Sequence, residues 1–434
     1  MKIAILGYAT EGRVSYDYYK KQGHEVHIHD SNSELHTPEG VPAVLGDAWL
    51  DNLDQYDLLV RTAGLNPDKI ATKNPGVASK TTTAINEFFE VCPTKNLIGV
   101  TGTKGKGTTS TLIFKFLEQA GYKVWLAGNI GRSPLEFVHE INPEDYVVLE
   151  LSSFQLIDIR HSPHTAICLL VEPEHLDWHA DLDEYIGAKQ QLFRHQVPDD
   201  IAVFYNESYL SNRVASVSAA KKSPYFDRAL AHFTEDNLMI GDDVICKLED
   251  ILLPGRHNLQ NICAAITATH DKIDSIDVYA DVVTTIEALP YRIQPIVTKN
   301  GTNYYNDSFS STPTATMACI DAINGPKILI VGGKDKNSPV DELTKCIASK
   351  KAELKHVILI GQLSDKIAEG LDSYDFKNYS NLGMNTNMAS IVQLARSHAT
   401  EGDSVILSPG SSSFDMFKNF QDRGDQFNEA VKAL

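Results

Sequence analysis

The chain has 434 residues, 42% of them hydrophobic, with 57 acidic against 39 basic side chains and a formal net charge of −18. That length allows two to four domains, no apolar run reaches the ~18–20 residues of a membrane span, and so acidic a balance opposes a DNA- or RNA-binding ATPase. The opening Met-Lys-Ile-Ala-Ile-Leu-Gly turns polar too soon for a signal peptide, and cysteines 92, 168, 246, 263, 319 and 346 form no C-x-x-C pair, which argues against a zinc ribbon or disulfide framework and fits a reducing cytoplasm.

Residues 2–7 are a short apolar run closed by glycine and read as a buried strand with a turn after it. Helix-compatible residues from Arg13 to Gln22 end at Gly23, and residues 24–30 and 56–60 read as two more strands. This β-α-β order predicts a small parallel sheet with helices, and residues 91–95 read as a connector. Residues 96–101 predict another buried strand, Gly102–Thr109 a glycine-rich turn, and Ser110–Gln119 a helix stopped at Gly121. Residues 146–151 and 165–171 are further buried strands, and the turn 254–258 leads into an apolar helix around 262–269. From Leu289-Pro290-Tyr291-Arg292 the pattern resets into strands at 327–333, 356–361 and 404–410, each ending in glycine. The expected fold is α/β in three domains: a Rossmann-like unit over 1–92, a P-loop ATPase-type domain over 93–290 and a second Rossmann-like domain over 291–434.

The strongest chemical signal is Gly102-Thr103-Lys104-Gly105-Lys106-Gly107-Thr108-Thr109. A phosphate chain needs inward-pointing N–H groups, which only a glycine-rich backbone brings close enough; a lysine then reaches the β/γ oxygens and a hydroxyl completes a Mg²⁺ shell. The usual spacing G-x-x-x-x-G-K-[ST] is not met, because Val100 holds the first glycine's place and Gly107 follows Lys106. Glu150 closes an apolar strand, where a carboxylate either faces the nucleotide crevice and ligates Mg²⁺ or is a plain surface residue. His175 and His179, four apart, suggest a shared helix face and a metal, although a His–acid cluster bordering a phosphate site fits the segment better. Lys189 by itself reads as an ordinary helix lysine with a solvated head.

Taken together, Gly102–Thr109, Gly128-Asn129-Ile130-Gly131, the run Glu150–Gln155, His175 with Asp177, Ala188-Lys189 and Gly255-Arg256-His257-Asn258 resemble, in that order, the Mur ligases. These are ATP-dependent amide-forming enzymes of peptidoglycan precursor synthesis, related to folylpolyglutamate synthetase. Asn306-Asp307-Ser308, Gly332–Lys336, Ser408-Pro409 and Phe417–Gly424 are most similar to the D-glutamate-adding branch, and the match runs nearly end to end.

The resemblance implies a UDP-substrate domain, an ATP-binding domain and an amino-acid-binding domain in the three segments above. It implies addition of D-glutamate to UDP-N-acetylmuramoyl-L-alanine through an acyl phosphate, with third-domain closure shielding that intermediate from water. ATP would lie on Gly102, Thr103, Lys104, Gly105, Lys106, Gly107, Thr108 and Thr109, with Asn258, Arg292 and Asp307. Mg²⁺ would be bound by Glu150 and His175, with Thr108 a further candidate, and by Lys189 carbamylated with CO₂. The UDP substrate would meet Gly7, Thr10, Asp30, Ser31, Thr62 and Asn129, and the amino acid would meet Lys336, Ser413 and Phe420. Lys106, Glu150, His175 and Lys189 form the implied catalytic set, and their presence opposes a non-catalytic nucleotide-binding regulator. The expected protein is a cytoplasmic monomer acting on small molecules, with no nucleic-acid or membrane partner.

Several positions depart from the family pattern. Gly107 replaces a Ser or Thr, as in the folate enzyme; Tyr291 replaces a histidine; and the first turn reads Gly7-Tyr8-Ala9 rather than Gly-x-Gly. Phe309 stands where the family has a lysine that helps hold the glutamate carboxylate. Such a charge-assisted contact is worth ~1.5–3 kcal/mol, so the amino-acid pocket must be built differently, and the same reaction with L-glutamate is an alternative. A folylpolyglutamate synthetase-like ligase is another, which the N-terminal unit and the 417–424 run oppose.

Overall fold

The computed structural model describes residues 1–176, 178–335 and 339–434. The chain forms two compact units: Met1–Asp250 with Leu259–Thr284, and Ile251–Asn258 with Thr285–Leu434.

The first unit carries two parallel sheets. One orders its strands Ala43–Leu45, Glu25–Asp30, Lys2–Leu6, Leu58–Arg61 and Thr81–Thr83. The other runs Lys221–Tyr225, Ile201–Tyr205, Thr165–Cys168, Leu97–Thr101, Tyr146–Glu150 and Val124–Gly128. Leu97–Thr101 is buried along its whole length, as a strand covered on both faces must be, which is why the apolar run shows no alternation. It pairs with Thr165–Cys168 on one side and Tyr146–Glu150 on the other, so the chain reverses its winding there and leaves a crevice beyond the strand's C-terminal end. A small antiparallel sheet, Ala231–Phe233, Asn237–Ile240 and Asp243–Lys247, follows.

The second unit has a six-stranded sheet in the order Gln294–Lys299, Thr302–Asn306, Ser404–Leu407, Lys327–Gly332, Leu354–Ile360 and Tyr379–Gly383. Its first pair is antiparallel and the rest are parallel. Apolar side chains on either side of this sheet form separate clusters, one around Leu329, Leu343 and Leu359 and the other around Ile330, Ile391 and Phe427.

The strands read from apolar runs, and the helices expected at 13–22, 110–119 and 262–269, are present, whereas the strands Val124–Gly128 and Ile201–Tyr205 and the helices Leu182–Arg194 and Phe420–Lys432 are additions. The helix after the glycine-rich turn begins at Lys106, not Ser110, because Gly105 adopts φ 85° and reverses the chain in one residue. Ala43–Leu45, Thr81–Thr83 and the small antiparallel sheet carry no long apolar run and were not expected.

Within the first unit, Arg61 ties the two sheets' surroundings together. It is 0% exposed. Its Nε donates to Asp158 Oδ2 at 2.7 Å, its Nη2 pairs with Asp158 Oδ1, and further bonds reach the carbonyls of Thr62, Leu65 and Phe154. Asn86 reinforces the contact, donating to the Asp158 carbonyl and accepting from the Arg160 N–H. Arg61→Met removes one partner of a buried pair and leaves those carbonyls unbonded. The expected cost is about 2–3 kcal/mol, below the ~3–5 of a fully enclosed pair because Asp158 keeps some solvent contact. Urea unfolding of the variant checks this, and an unchanged midpoint contradicts it.

Candidate active site

The glycine-rich turn occupies the crevice beyond Leu97–Thr101. Thr101 Oγ1 donates to the Leu151 carbonyl and Thr103 N–H to the Leu170 carbonyl, so both flanking strands hold the loop. Gly102 has φ 147°, and a Cβ there would lie 2.8 Å from Leu169 Cβ; at Gly105 it would lie 2.2 Å from Asn261 Oδ1. Both glycines are therefore required by space as well as by backbone angle. The turn feeds the first turn of Lys106–Gln119, where N–H groups lack intrahelical acceptors and favour an anion. Lys106 Nζ donates to the carbonyls of Gly102 and Thr103, at 3.1 and 2.9 Å.

Lys189 corrects the expectation of a solvated head. It lies on Leu182–Arg194 and is 1% exposed. Its Nζ donates to the Gly102 carbonyl at 2.9 Å and sits 4.5 Å from the centre of the Tyr185 ring. Burial, with the Lys106 cation second, lowers its pKa to about 7. Tyr185 hydroxyl meets Thr103 Oγ1, which also donates to the Glu172 carbonyl, so the helix carrying Lys189 is stitched to the turn.

Glu150 is also buried, at 2% exposure, which sets aside the plain surface reading. Asn129 grips it twice, its N–H on the Glu150 carbonyl and its Nδ2 on Oε1, both at 2.9 Å. Oε2 is left without a hydrogen-bond partner, as is the buried hydroxyl of Thr109. A buried carboxylate oxygen without a donor is costly, and it suits a hard cation. Among the described residues no group of three or more His, Cys, Asp or Glu side chains could hold a metal alone.

His175 and His179 do not share a helix face. His179 is buried between Glu184 Oε2 and Ser153 Oγ, both at 3.0 Å. His175 precedes the helix with φ 59°, its Nε2 3.6 Å from Glu174 Oε2. Burial lowers the His175 pKa, although Glu174 opposes the shift. Glu174, which no motif singled out, pairs with Lys104 at 2.5 Å; burial pushes its carboxyl up, but Lys104 brings it below the usual carboxylate range. Asp177 lies outside the described residues.

In the first sheet, Gly7, Asp30 and Thr62 meet at the ends of adjacent strands. Gly7 has φ 97°, and a Cβ there would fall 2.4 Å from Thr62 Oγ1. Asp30 accepts the N–H groups of Tyr8 and Asn32, at 2.7 and 2.9 Å. Thr10 and Ser31 are exposed nearby in sequence. Glu11, which no motif marks, joins them: its Oε2 accepts the Ala63 N–H, and burial raises its pKa.

In the second unit, Ser411, Ser412 and Ser413 follow Ser404–Leu407 as a buried turn, and the hydroxyls of Ser412 and Ser413 have no partner. Lys334 N–H donates to the Ser412 carbonyl. Fully buried Arg423 reaches Ser308 and the Ser411 carbonyl, and burial lowers its pKa to about 10. Phe420 packs edge-to-face on Phe309. Asp307 is fully engaged inside the unit, accepting Ser408 Oγ at 2.6 Å and the Ile293 N–H at 3.1 Å; burial raises its pKa to about 6. Asn258 donates to the Pro254 carbonyl. Lys336 lies outside the described residues.

Residues 100–269 match the Mur ligase middle domain, and residues 291–410 match the Mur ligase glutamate ligase domain. UDP-N-acetylmuramoylalanine–D-glutamate ligases are similar over the whole chain: that of Clostridium kluyveri is 36% identical with 97% of its length covered, and that of Acetivibrio thermocellus is 37% identical with 96% covered. Among solved structures, a UDP-N-acetylmuramate-alanine ligase from Thermotoga maritima shares the fold with a TM-score of 0.62 at 14% identity, covering 100% of this chain and 99% of that one. MurF from Acinetobacter baumannii gives 0.63 at 14% identity, covering 99% and 93%.

The burial of Lys189 has a pH signature. Its folded pKa lies below the 10.5 of an unfolded lysine, so between about 7 and 10.5 only the unfolded chain binds the proton, and stability rises with pH across that window. In CO₂-depleted buffer, Lys189→Met should therefore raise the melting temperature most below pH 7 and progressively less toward pH 10. A difference that stays flat with pH contradicts the buried-amine assignment.

Proposed function

The chain belongs to the Mur ligase family, and on that premise we propose that it joins D-glutamate to UDP-N-acetylmuramoyl-L-alanine. Its chemistry is ATP-dependent ligation in peptidoglycan precursor synthesis. The observation that carries the reading is the lysine-bearing phosphate turn at the end of Leu97–Thr101, with Glu150 Oε2 open at the neighbouring strand end.

A free carboxylate is a poor electrophile, so the L-alanyl carboxylate first attacks the γ-phosphorus of ATP, giving an acyl phosphate and ADP. The glutamate amine then attacks the carbonyl, loses a proton, and phosphate leaves. The protein's part is positioning and charge neutralisation. The N–H groups of Gly102–Thr109 and the Lys106 ammonium receive the phosphates. Glu150 and His175, with Thr108 a further candidate, would hold Mg²⁺, which when bound neutralises charge on the phosphoryl oxygens. With a pKa near 7, much of Lys189 is unprotonated at neutral pH, the form that adds CO₂. The resulting carbamate, formed with loss of a proton, would replace that buried amine by an anion suited to Mg²⁺. Asn129 orients Glu150 and is assigned to the muramoyl substrate.

The UDP end is assigned to Gly7, Thr10, Asp30, Ser31 and Thr62, and the incoming amino acid to Lys336, Ser413 and Phe420. The open Ser413 hydroxyl supports the latter. Asn258 and Arg292 are assigned to the nucleotide, with Asp307 acting through the Ile293 N–H it holds. Functional segments are assigned to 1–92, 93–290 and 291–434, each of which contains one of the three large sheets. Among the described residues no helix is long and apolar enough to cross a membrane; separately, the protein is assigned as a cytoplasmic monomer that works on small molecules.

Phosphate release from ATP with UDP-N-acetylmuramoyl-L-alanine and a panel of amino acids tests the reading. D-glutamate should give turnover and L-glutamate little; a clear preference for L-glutamate overturns the stereochemical assignment, and turnover with a folate in place of the muramoyl substrate overturns the pathway. Lys106→Ala should lose at least ~100-fold of the activity, the size of a single electrostatic stabiliser.

A further inference from the structure

Arg292 stands between two residues in the left-handed region, Tyr291 at φ 63° and Ile293 at φ 47°. Neither is glycine, and for a β-branched side chain this is an outlier that survives only where its surroundings impose it. They do so here. Ile293 N–H is held by Asp307 Oδ1 at 3.1 Å, and Tyr291 N–H by Gln294 Oε1 at 3.1 Å. The Tyr291 hydroxyl donates to Asp425 at 2.7 Å, and its carbonyl accepts the Phe309 N–H at 3.0 Å. The Tyr291 ring lies so close to Gly424 that a Cβ there would come within 2.3 Å of it.

The product of this strained turn is one placement. The Arg292 guanidinium carbon sits 3.8 Å from the centre of the Phe309 ring. Phe309 is braced edge-to-face by Phe420 at 5.1 Å, yet remains 40% exposed. Stacking engages the face of a guanidinium rather than its N–H edge. A lysine at 309 would instead put a second cation against Arg292.

We propose that Phe309 is a positioning residue whose ring serves as the platform for Arg292, and that the strained turn Tyr291–Ile293 exists to deliver that guanidinium to the nucleotide. The inference rests on the assignment of Arg292 to ATP made above.

A double-mutant cycle on the full chain tests it, reading KM for ATP, KM for glutamate and kcat. Arg292→Ala should raise the ATP KM by roughly 10–100-fold, as loss of a charged hydrogen-bonding group does. Phe309→Ala should raise it about fivefold, the scale of a partly desolvated cation–aromatic contact, with the glutamate KM unchanged. Phe309→Leu, which keeps apolar packing on Phe420, should match Phe309→Ala, and Phe309→Tyr should restore the wild-type value. In the Arg292→Ala background, Phe309→Ala should add nothing. Additive effects, a loss that falls on the glutamate KM, or full activity in Phe309→Leu overturn the platform role while leaving Arg292 on the nucleotide. An unchanged ATP KM in Arg292→Ala removes the nucleotide assignment and the inference with it.

Discussion

The hydrogen bond from Lys189 Nζ to the Gly102 carbonyl is the contact on which the site is organised. It places a fully buried amine against the first residue of the glycine-rich turn. Taking an ammonium out of water is costly, so burial pulls the group toward its neutral form, and that sets it apart from a solvated surface lysine. The same contact constrains the turn: Gly102 cannot relax without uncovering the amine, and Leu169 closes its other side. Lys106, on the same short loop, stays with carbonyl partners that a triphosphate can replace.

Each of the three large sheets ends in a comparable solution. A parallel strand delivers a turn that only glycine can make, and groups from neighbouring segments fasten it. At Gly7 the fasteners are Thr62 and, through Tyr8, Asp30. At Gly102 they are Leu151 and Leu170 carbonyls. At Gly333, whose Cβ would fall 2.5 Å from the Ser412 carbonyl, they are the serine turn and Arg423. Polar groups left open at these ends, Glu150 Oε2 and the Ser412 and Ser413 hydroxyls, mark where donors or cations are wanted.

Sequence alone reveals the strands that end in glycine, because continuous apolar runs and turn residues are local signals. It also reveals Lys106 and the strand-end Glu150. What it does not reveal is non-local. Lys189 looks like any surface helix lysine until Gly102 is brought to it from a distant segment, beside the Tyr185 ring one turn back on its own helix. Thr81–Thr83 has no apolar signature but is buried beside Leu58–Arg61. The i, i+4 spacing of His175 and His179 suggests partnership, yet the helix begins only after them, at Leu182, and His179 turns to Glu184 and Ser153. Phe309 is conspicuous as a missing lysine, but only the fold supplies the Arg292 that its ring carries.

The central claim is that a carboxyl group is energised by phosphoryl transfer before the amide forms. Labelling the L-alanyl carboxylate of UDP-N-acetylmuramoyl-L-alanine with ¹⁸O and analysing the phosphate released during turnover tests it directly. An acyl phosphate hands one labelled oxygen to each phosphate when the amine displaces it. Phosphate carrying no label, with amide formed, contradicts the account.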